Sequence, residues 1–210
     1  MSIVDNISAA LQKGKRKEVV ELVQEALGSG ISAQEILDNG LLKGMGEIGV
    51  KFKNNEVFVP EVLVAARALN SGTELLKEKL IEEGVEPIGR AVICTVKGDL
   101  HDIGKNLVKM MLEGAGFEVI DLGVDVSEDK IVEMVKETAP QVVLLSSLLT
   151  TTMNESQTVV KALEAAGIRD QVKVMVGGAP VTQSFCDEIG ADAYTPDAAS
   201  AAEVAKSFVA

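Results

Sequence analysis

Apolar positions change their period partway along the chain. Over residues 1–87 they recur at helical spacing. Ile3, Ile7 and Leu11 stand four apart on one face. Val19, Val20, Leu22, Val23, Ala26 and Leu27 mark a second helix, stopped by Gly28-Ser29-Gly30. Ser32 with Glu35 three positions on is a capping-box signature that opens a third. Pro60 fits a first helical turn, and Val62, Leu63, Ala66 and Leu69 continue a helix predicted to run to about Glu83. Four helices with short connections predict a small four-helix bundle.

Beyond the stretch EEGVEPIG (82–89), short apolar runs alternate with helical patterns. Strands are predicted at 91–96, 118–123, 142–147, 172–178 and 192–195, and helices at about 103–115, 127–138, 153–166, 181–189 and 197–208. Strands with helical crossovers imply a parallel sheet covered on both faces. The expected fold is α/β: a helical cap domain over 1–87, then a doubly wound, flavodoxin-like, Rossmann-like domain over 88–210 with strand order 2-1-3-4-5.

Composition narrows the function classes. The 210 residues are 47% hydrophobic and carry a net charge of −12. A nucleic-acid partner needs a basic surface, and so does an anionic membrane, so neither is expected. The N-terminal twenty residues lack a signal-peptide pattern, and no apolar run reaches membrane-spanning length, which predicts a cytoplasmic protein. Two cysteines, Cys94 and Cys186, make neither a disulfide framework nor a zinc site.

Candidate chemistry gathers at three predicted strand ends. GDLHDIG (98–104) follows the first strand and holds His101, the single histidine of the chain. SSLLTTTM (146–153) follows the third, and GGAPVT (177–182) follows the fourth. Ligands of open α/β sheets bind outside the carboxyl ends of the strands, near the point where the strand order reverses, so these stretches would line one crevice. On the residues alone, His101 could be a core histidine, a base or a metal ligand.

The three stretches together resemble the cobalamin-binding signature Asp-x-His-x-x-Gly, Ser-x-Leu, Gly-Gly, carried by Asp99, His101 and Gly104, by Ser146 and Leu148, and by Gly177 and Gly178. Gaps of 41 residues between Gly104 and Ser146 and of 28 between Leu148 and Gly177 also fit. GMGEIGVKFKNNEVFVPEVLVAA (44–66) is similar to the cap module that precedes such domains in methionine synthase and in the corrinoid proteins of anaerobic methyltransferase systems.

That resemblance implies a cobalamin or related corrinoid cofactor with His101 as the lower ligand of its cobalt. It makes Asp99 the acceptor that orients the imidazole and Thr152 the next link outward, where methionine synthase has serine. Asp102, Ile103, Gly104, Ser146, Leu148, Thr150, Gly177 and Gly178 would line the path of the cofactor's extended tail. Phe52, Val59 and Val62 match cap positions that cover the methyl group of methylcobalamin. Phe52 and Phe58 are two of only six aromatic residues and are expected in the connector between two helices. The implied protein is a methyl carrier serving a substrate-specific methyltransferase, a second methyltransferase with tetrahydrofolate or coenzyme M as acceptor, and a reductive activase. Two rivals stand beside it. A B12-dependent sensor would need an output domain, and a hydrolase or phosphotransfer domain using Asp99 and His101 would need a nucleophile or a metal cluster.

Overall fold

A computed structural model describes residues 2–210. The chain forms two compact units, one of the residues up to Pro87 with Gly114–Gly116, the other of Ile88–Glu113 with Phe117–Ala210.

The first unit is helical. Helix α1 (Ile3–Gln12) begins with a reciprocal cap: the Asp5 amide donates to Ser2 Oγ and the Ser2 amide to Asp5 Oδ2, both at 3.2 Å. Helix α2 (Arg16–Gly28) follows. The third predicted helix starts as α3 (Ala33–Glu35), widens into a π-helical stretch (Ile36–Leu42) and continues as α4 (Lys43–Lys53). Its capping box is half formed. Ser32 Oγ accepts from the Glu35 amide, but the Glu35 carboxylate turns forward to Asn39. Glu83, the last residue of α5 (Val59–Glu83), accepts from the amides of Ala33 and Gln34 instead. Gly40 and Gly44 let α1 approach closely: a methyl at either would press against Ile7 or Ser8 at about 3.1 Å. Ile7, Leu11, Ile36, Leu41, Leu69 and Leu76 are fully buried there.

The second unit is a five-stranded parallel sheet of order β2-β1-β3-β4-β5, as the sequence predicts. Its strands are β1 (Arg90–Thr95), β2 (Glu118–Asp121), β3 (Val142–Ser146), β4 (Lys173–Gly177) and β5 (Ala193–Tyr194). Helices α6 (Ile103–Gly114), α7 (Glu128–Thr138), α8 (Glu155–Ala165), α9 (Gln183–Ile189) and α10 (Ala198–Ser207) connect and close it. Alternate strand residues Val92, Cys94, Val143, Leu145, Val174 and Val176 pack with Ile131, Val135, Val159, Leu163, Phe185 and Ile189 of α7, α8 and α9. Burial pushes the Cys94 thiol up to about 12, so it packs as a small hydrophobe.

Strands are shorter than the apolar runs. β2 stops at Asp121, with Gly123 at φ 86°, although the Leu122 amide still donates to the Ile93 carbonyl and the Gly123 carbonyl accepts from the Thr95 amide. No helix is long and apolar enough to cross a membrane among the described residues.

Candidate functional site

Parallel register brings the three candidate stretches to one level. Thr95 of β1 pairs with Ser146 of β3, which pairs with Gly177 of β4, so all three loops leave the sheet side by side. The chain turns in opposite directions after β1 and β3, and that divergence opens the space between their loops.

After β1 the chain makes a tight turn, with Gly98 at φ 78° and the Asp99 amide donating to the Val96 carbonyl. Asp99 is fully buried, yet both carboxylate oxygens are satisfied. Oδ1 accepts from the His101 amide at 3.1 Å and faces His101 Nδ1 at 2.7 Å. Oδ2 accepts from the amides of Leu148 at 2.8 Å and Leu149 at 3.3 Å, and from Thr152 Oγ1 at 2.7 Å. Burial alone would raise this carboxyl, but the Leu148 amide, the His101 ring, the Thr152 hydroxyl and the His101 amide together hold it well below the usual range. Asp99 is therefore a fixed anion. A fixed anion at Nδ1 makes that nitrogen the donor and leaves the Nε2 lone pair pointing away. The side chain of His101 is 51% exposed, and no hydrogen bond engages Nε2 among the described residues.

Exposed apolar side chains stand in the two loops that Asp99 ties together. Leu100 is 70% exposed, Ile103 77%, and Leu148 and Leu149 about two-fifths. Four large apolar residues beside one open nitrogen make a platform that water solvates poorly. Asp102 sits lower, its backbone and carboxylate both accepting from Asn106 at the start of α6.

The glycines divide by what the protein itself needs. Gly178 has φ 126°, and a side chain there would overlap the Ser147 carbonyl, so the backbone crossing between β3 and β4 requires it. Gly104 has ordinary dihedrals, and a methyl there would meet nothing within 4 Å. One at Gly177 would meet only the Thr195 carbonyl at 3.7 Å. Both leave room that no protein atom fills. Between them, Ser146 is half-buried and Thr150 exposed, while Ser147 Oγ is buried without a hydrogen-bond partner.

The cap residues fall differently from expectation. Phe52 lies in the last turn of α4 and not in the connector, because helical backbone continues through Lys53. Phe52 and Val59 are half-buried, Phe58 is 62% exposed at the N-terminus of α5, and Val62 is fully buried.

Several contacts here lie outside the sequence expectations. Thr95 Oγ1 donates to the His101 carbonyl, and Asp125 accepts from the Gly98 amide. Lys105, only 3% exposed, donates to both oxygens of Asp121 at 2.7 Å and to Asn106, tying the first turn of α6 to the end of β2. Thr95 and Lys105 are polar groups in otherwise apolar surroundings, a signal that could have found them. Asp125 reads as an ordinary loop residue.

The donor set limits what a metal could be here. Among the described residues no group of three or more His, Cys, Asp or Glu could hold a metal ion alone. One oriented imidazole suits a metal whose other ligands come with it, as a corrin supplies four nitrogens in a plane. The apolar platform, the space beside Gly104 and Gly177 and the unpartnered Ser147 hydroxyl fit such a group.

Comparison with known proteins points the same way. The chain is 47% identical over 176 residues to trimethylamine corrinoid protein 1 of Methanosarcina acetivorans, spanning 83% of this chain and 82% of that protein. It is 41% identical over 210 residues to a dimethylamine corrinoid protein of Methanosarcina barkeri, spanning 99% and 98%. Its fold matches a chain of the methanol:cobalamin methyltransferase complex MtaBC from Methanosarcina barkeri with a TM-score of 0.89 at 31% identity, covering 99% of this chain and 79% of that one. Residues 89–205 match the family described as B12 binding domain, and residues 3–77 match a second family of that description. With the oriented histidine at its sheet edge and relatives along its full length, this chain belongs to the B12 binding domain family.

Proposed function

We propose that the chain is a corrinoid methyl carrier. A bound corrinoid would supply a cobalt centre able to accept a methyl group and give it up. His101 Nε2 would ligate that cobalt, and Asp99 would hold the ring in the tautomer that leaves Nε2 free. Thr152 neutralises part of the Asp99 charge through its hydroxyl. Leu100, Ile103, Leu148 and Leu149 would exclude water from the lower face. Ser146, Thr150 and the space beside Gly104 and Gly177 would receive the tail. Residues 88–210 would form the binding module and residues 1–87 the cap, with Phe52, Val59 and Val62 shielding the methyl group.

The observation that carries this reading is the locked imidazole: a half-exposed ring with Nδ1 held 2.7 Å from a buried carboxylate, inside an exposed apolar platform. A catalytic base would be served by the same pair, but a base does not need four apolar side chains turned to solvent beside it.

Partners follow from the carrier role. A substrate-specific methyltransferase would donate, a second would accept toward tetrahydrofolate or coenzyme M, and a reductive activase would restore the cobalt. Greater identity to trimethylamine and dimethylamine corrinoid proteins, 47% and 41%, than to the methanol system, 31%, favours a methylated amine as donor.

Loading the purified chain with hydroxocobalamin and recording its visible spectrum tests the reading. A spectrum showing histidine in place of the cofactor's own lower base, lost in His101→Ala, is expected. A chain that takes up no cobalamin, or a spectrum unchanged in His101→Ala, overturns it.

A further inference from the structure

The Asp99–His101 hydrogen bond fixes the ring relative to its own loop. It does not by itself fix the loop relative to the sheet, and a cobalt ligand must be placed against both. Two groups outside the signature do that from the β1–β2 side. Thr95 Oγ1 donates to the His101 carbonyl at 2.8 Å from a fully buried position at the end of β1. Asp125, in the loop after β2, accepts from the Gly98 amide at 2.7 Å and donates its own amide to the Asp99 carbonyl at 3.0 Å. These bonds grip the main chain at residues 98, 99 and 101, on both sides of the motif's aspartate.

Neither residue is explained by its local structure. Thr95 ends a strand reading Ala-Val-Ile-Cys-Thr-Val, where valine would match its shape and suit the strand as well. The hydroxyl adds only the bond to His101. Asp125 stands at φ 53°, a left-handed conformation that costs most residues energy and that Asp and Asn tolerate best. From that conformation both its amide and its carboxylate reach the 98–99 turn.

We infer that Thr95 and Asp125 are positioning residues that together set the height of the His101 ring above the sheet, and so its bond to the corrinoid. The inference rests on the corrinoid reading and extends it to residues outside the cofactor signature. Deleting one neutral hydrogen bond shifts an equilibrium by about 1 kcal/mol, roughly fivefold. The shift falls on ligation because the Thr95 bond ends on the backbone of the ligand itself and the Asp125 bonds end on the turn that leads into it.

The test uses the full chain with Thr95→Val, Thr95→Ser, Asp125→Ala and Asp125→Asn. Valine deletes the hydroxyl at nearly constant shape, and serine restores it. Asparagine keeps an acceptor and tolerates the backbone, whereas alanine does neither. Chains loaded with hydroxocobalamin and reduced by one electron are read by electron paramagnetic resonance, where nitrogen splitting counts the histidine-ligated fraction. Because His101 is the single histidine, the 15N spectrum of the imidazole in the cofactor-free chain gives a second readout without assignment.

The ratio of ligated to unligated histidine is expected to fall about fivefold in Thr95→Val and Asp125→Ala. It should stay within about twofold of wild type in Thr95→Ser and Asp125→Asn. The imidazole resonances of the two deleting variants should shift or broaden. A wild-type ratio with a wild-type imidazole spectrum in both Thr95→Val and Asp125→Ala overturns the inference. If Thr95→Val does not fold, the exposed Asp125 pair decides alone. If the wild-type chain takes up no cobalamin, the functional reading falls, and unchanged imidazole spectra in the variants would separately remove the brace.

Discussion

Asp99→Asn looks conservative and should not be. All the groups facing this carboxylate donate. Oδ1 meets the His101 amide and the Nδ1 proton; Oδ2 meets two backbone amides and the Thr152 hydroxyl. An asparagine offers one acceptor and one NH2 group, so one side must confront donors with a donor. If the NH2 turns to His101, the ring can adapt only by moving its proton to Nε2, the nitrogen proposed to bind cobalt, and the His101 amide still goes unpaired. If it turns the other way, the hydroxyl can rotate to accept, but the Leu148 amide cannot. Each charge-assisted bond is worth about 1.5–3 kcal/mol, and the site is fully buried. Losing two such bonds, partly recovered by relaxation, gives a destabilisation of about 3–5 kcal/mol. With a urea slope near 2 kcal/mol/M, the midpoint should fall by roughly 2 M. Tyr194, the one tyrosine, lies in β5 and reports on the sheet unit by its fluorescence. A midpoint within about 0.5 M of wild type, with the imidazole proton still on Nδ1, would refute the argument.

Other outcomes follow from the geometry. Gly104→Ala should leave the cofactor-free chain as stable as wild type or up to about 1 kcal/mol more so, yet weaken cobalamin binding, whereas Gly178→Ala should destabilise by about 2 kcal/mol or more before any cofactor is added; urea melts and a binding titration separate the two. Burial raises the Asp192 carboxyl, but the Val174 amide, Arg169 and Lys173 more than offset it and hold it below its ordinary value. Its stabilisation is thus complete above about pH 4 and lost as pH falls through the lower folded value, so Asp192→Asn should cost most near neutrality and progressively less in acid, read from urea midpoints at several pH values. Phe52→Ala should leave cobalamin binding within about threefold but speed photolysis of the methyl-loaded protein, and equal photolysis rates would remove Phe52 from the proposed shield.

Period and punctuation carried most of the fold. The parallel order 2-1-3-4-5 followed from apolar strands alternating with amphipathic helices, and the strand ends holding His101, Ser146 and Gly177 do share one level. Less legible were features set by long-range contact. The π-helical widening at Ile36–Leu42 lies where α1 passes close to Gly40 and Gly44, and no helical periodicity encodes it. Phe52 was expected in the connector with Phe58, yet the last turn of α4 holds it. At the site, Asp99, His101 and Thr152 were readable as a chain of groups, and they lie in hydrogen-bond contact. Thr95 stood out only as a polar residue in an apolar strand and Asp125 not at all, since their partners are backbone atoms that leave no mark on side-chain spacing.

The Asp99 carboxylate also orders events in time. Two of its donors come from residues 99 to 101, and the others only from residues 148, 149 and 152. A chain that has emerged as far as β2 already contains His101 and the donors to Oδ1, but the three donors that hold Oδ2 are still missing. The carboxylate acquires its last anchors when β3 docks beside β1, a contact between segments about fifty residues apart that forms slowly compared with local helices. Any truncated or half-folded form lacking β3 therefore carries an Asp99–His101 pair without its Oδ2 anchors, and cofactor capture by this route waits for the completed half of the sheet.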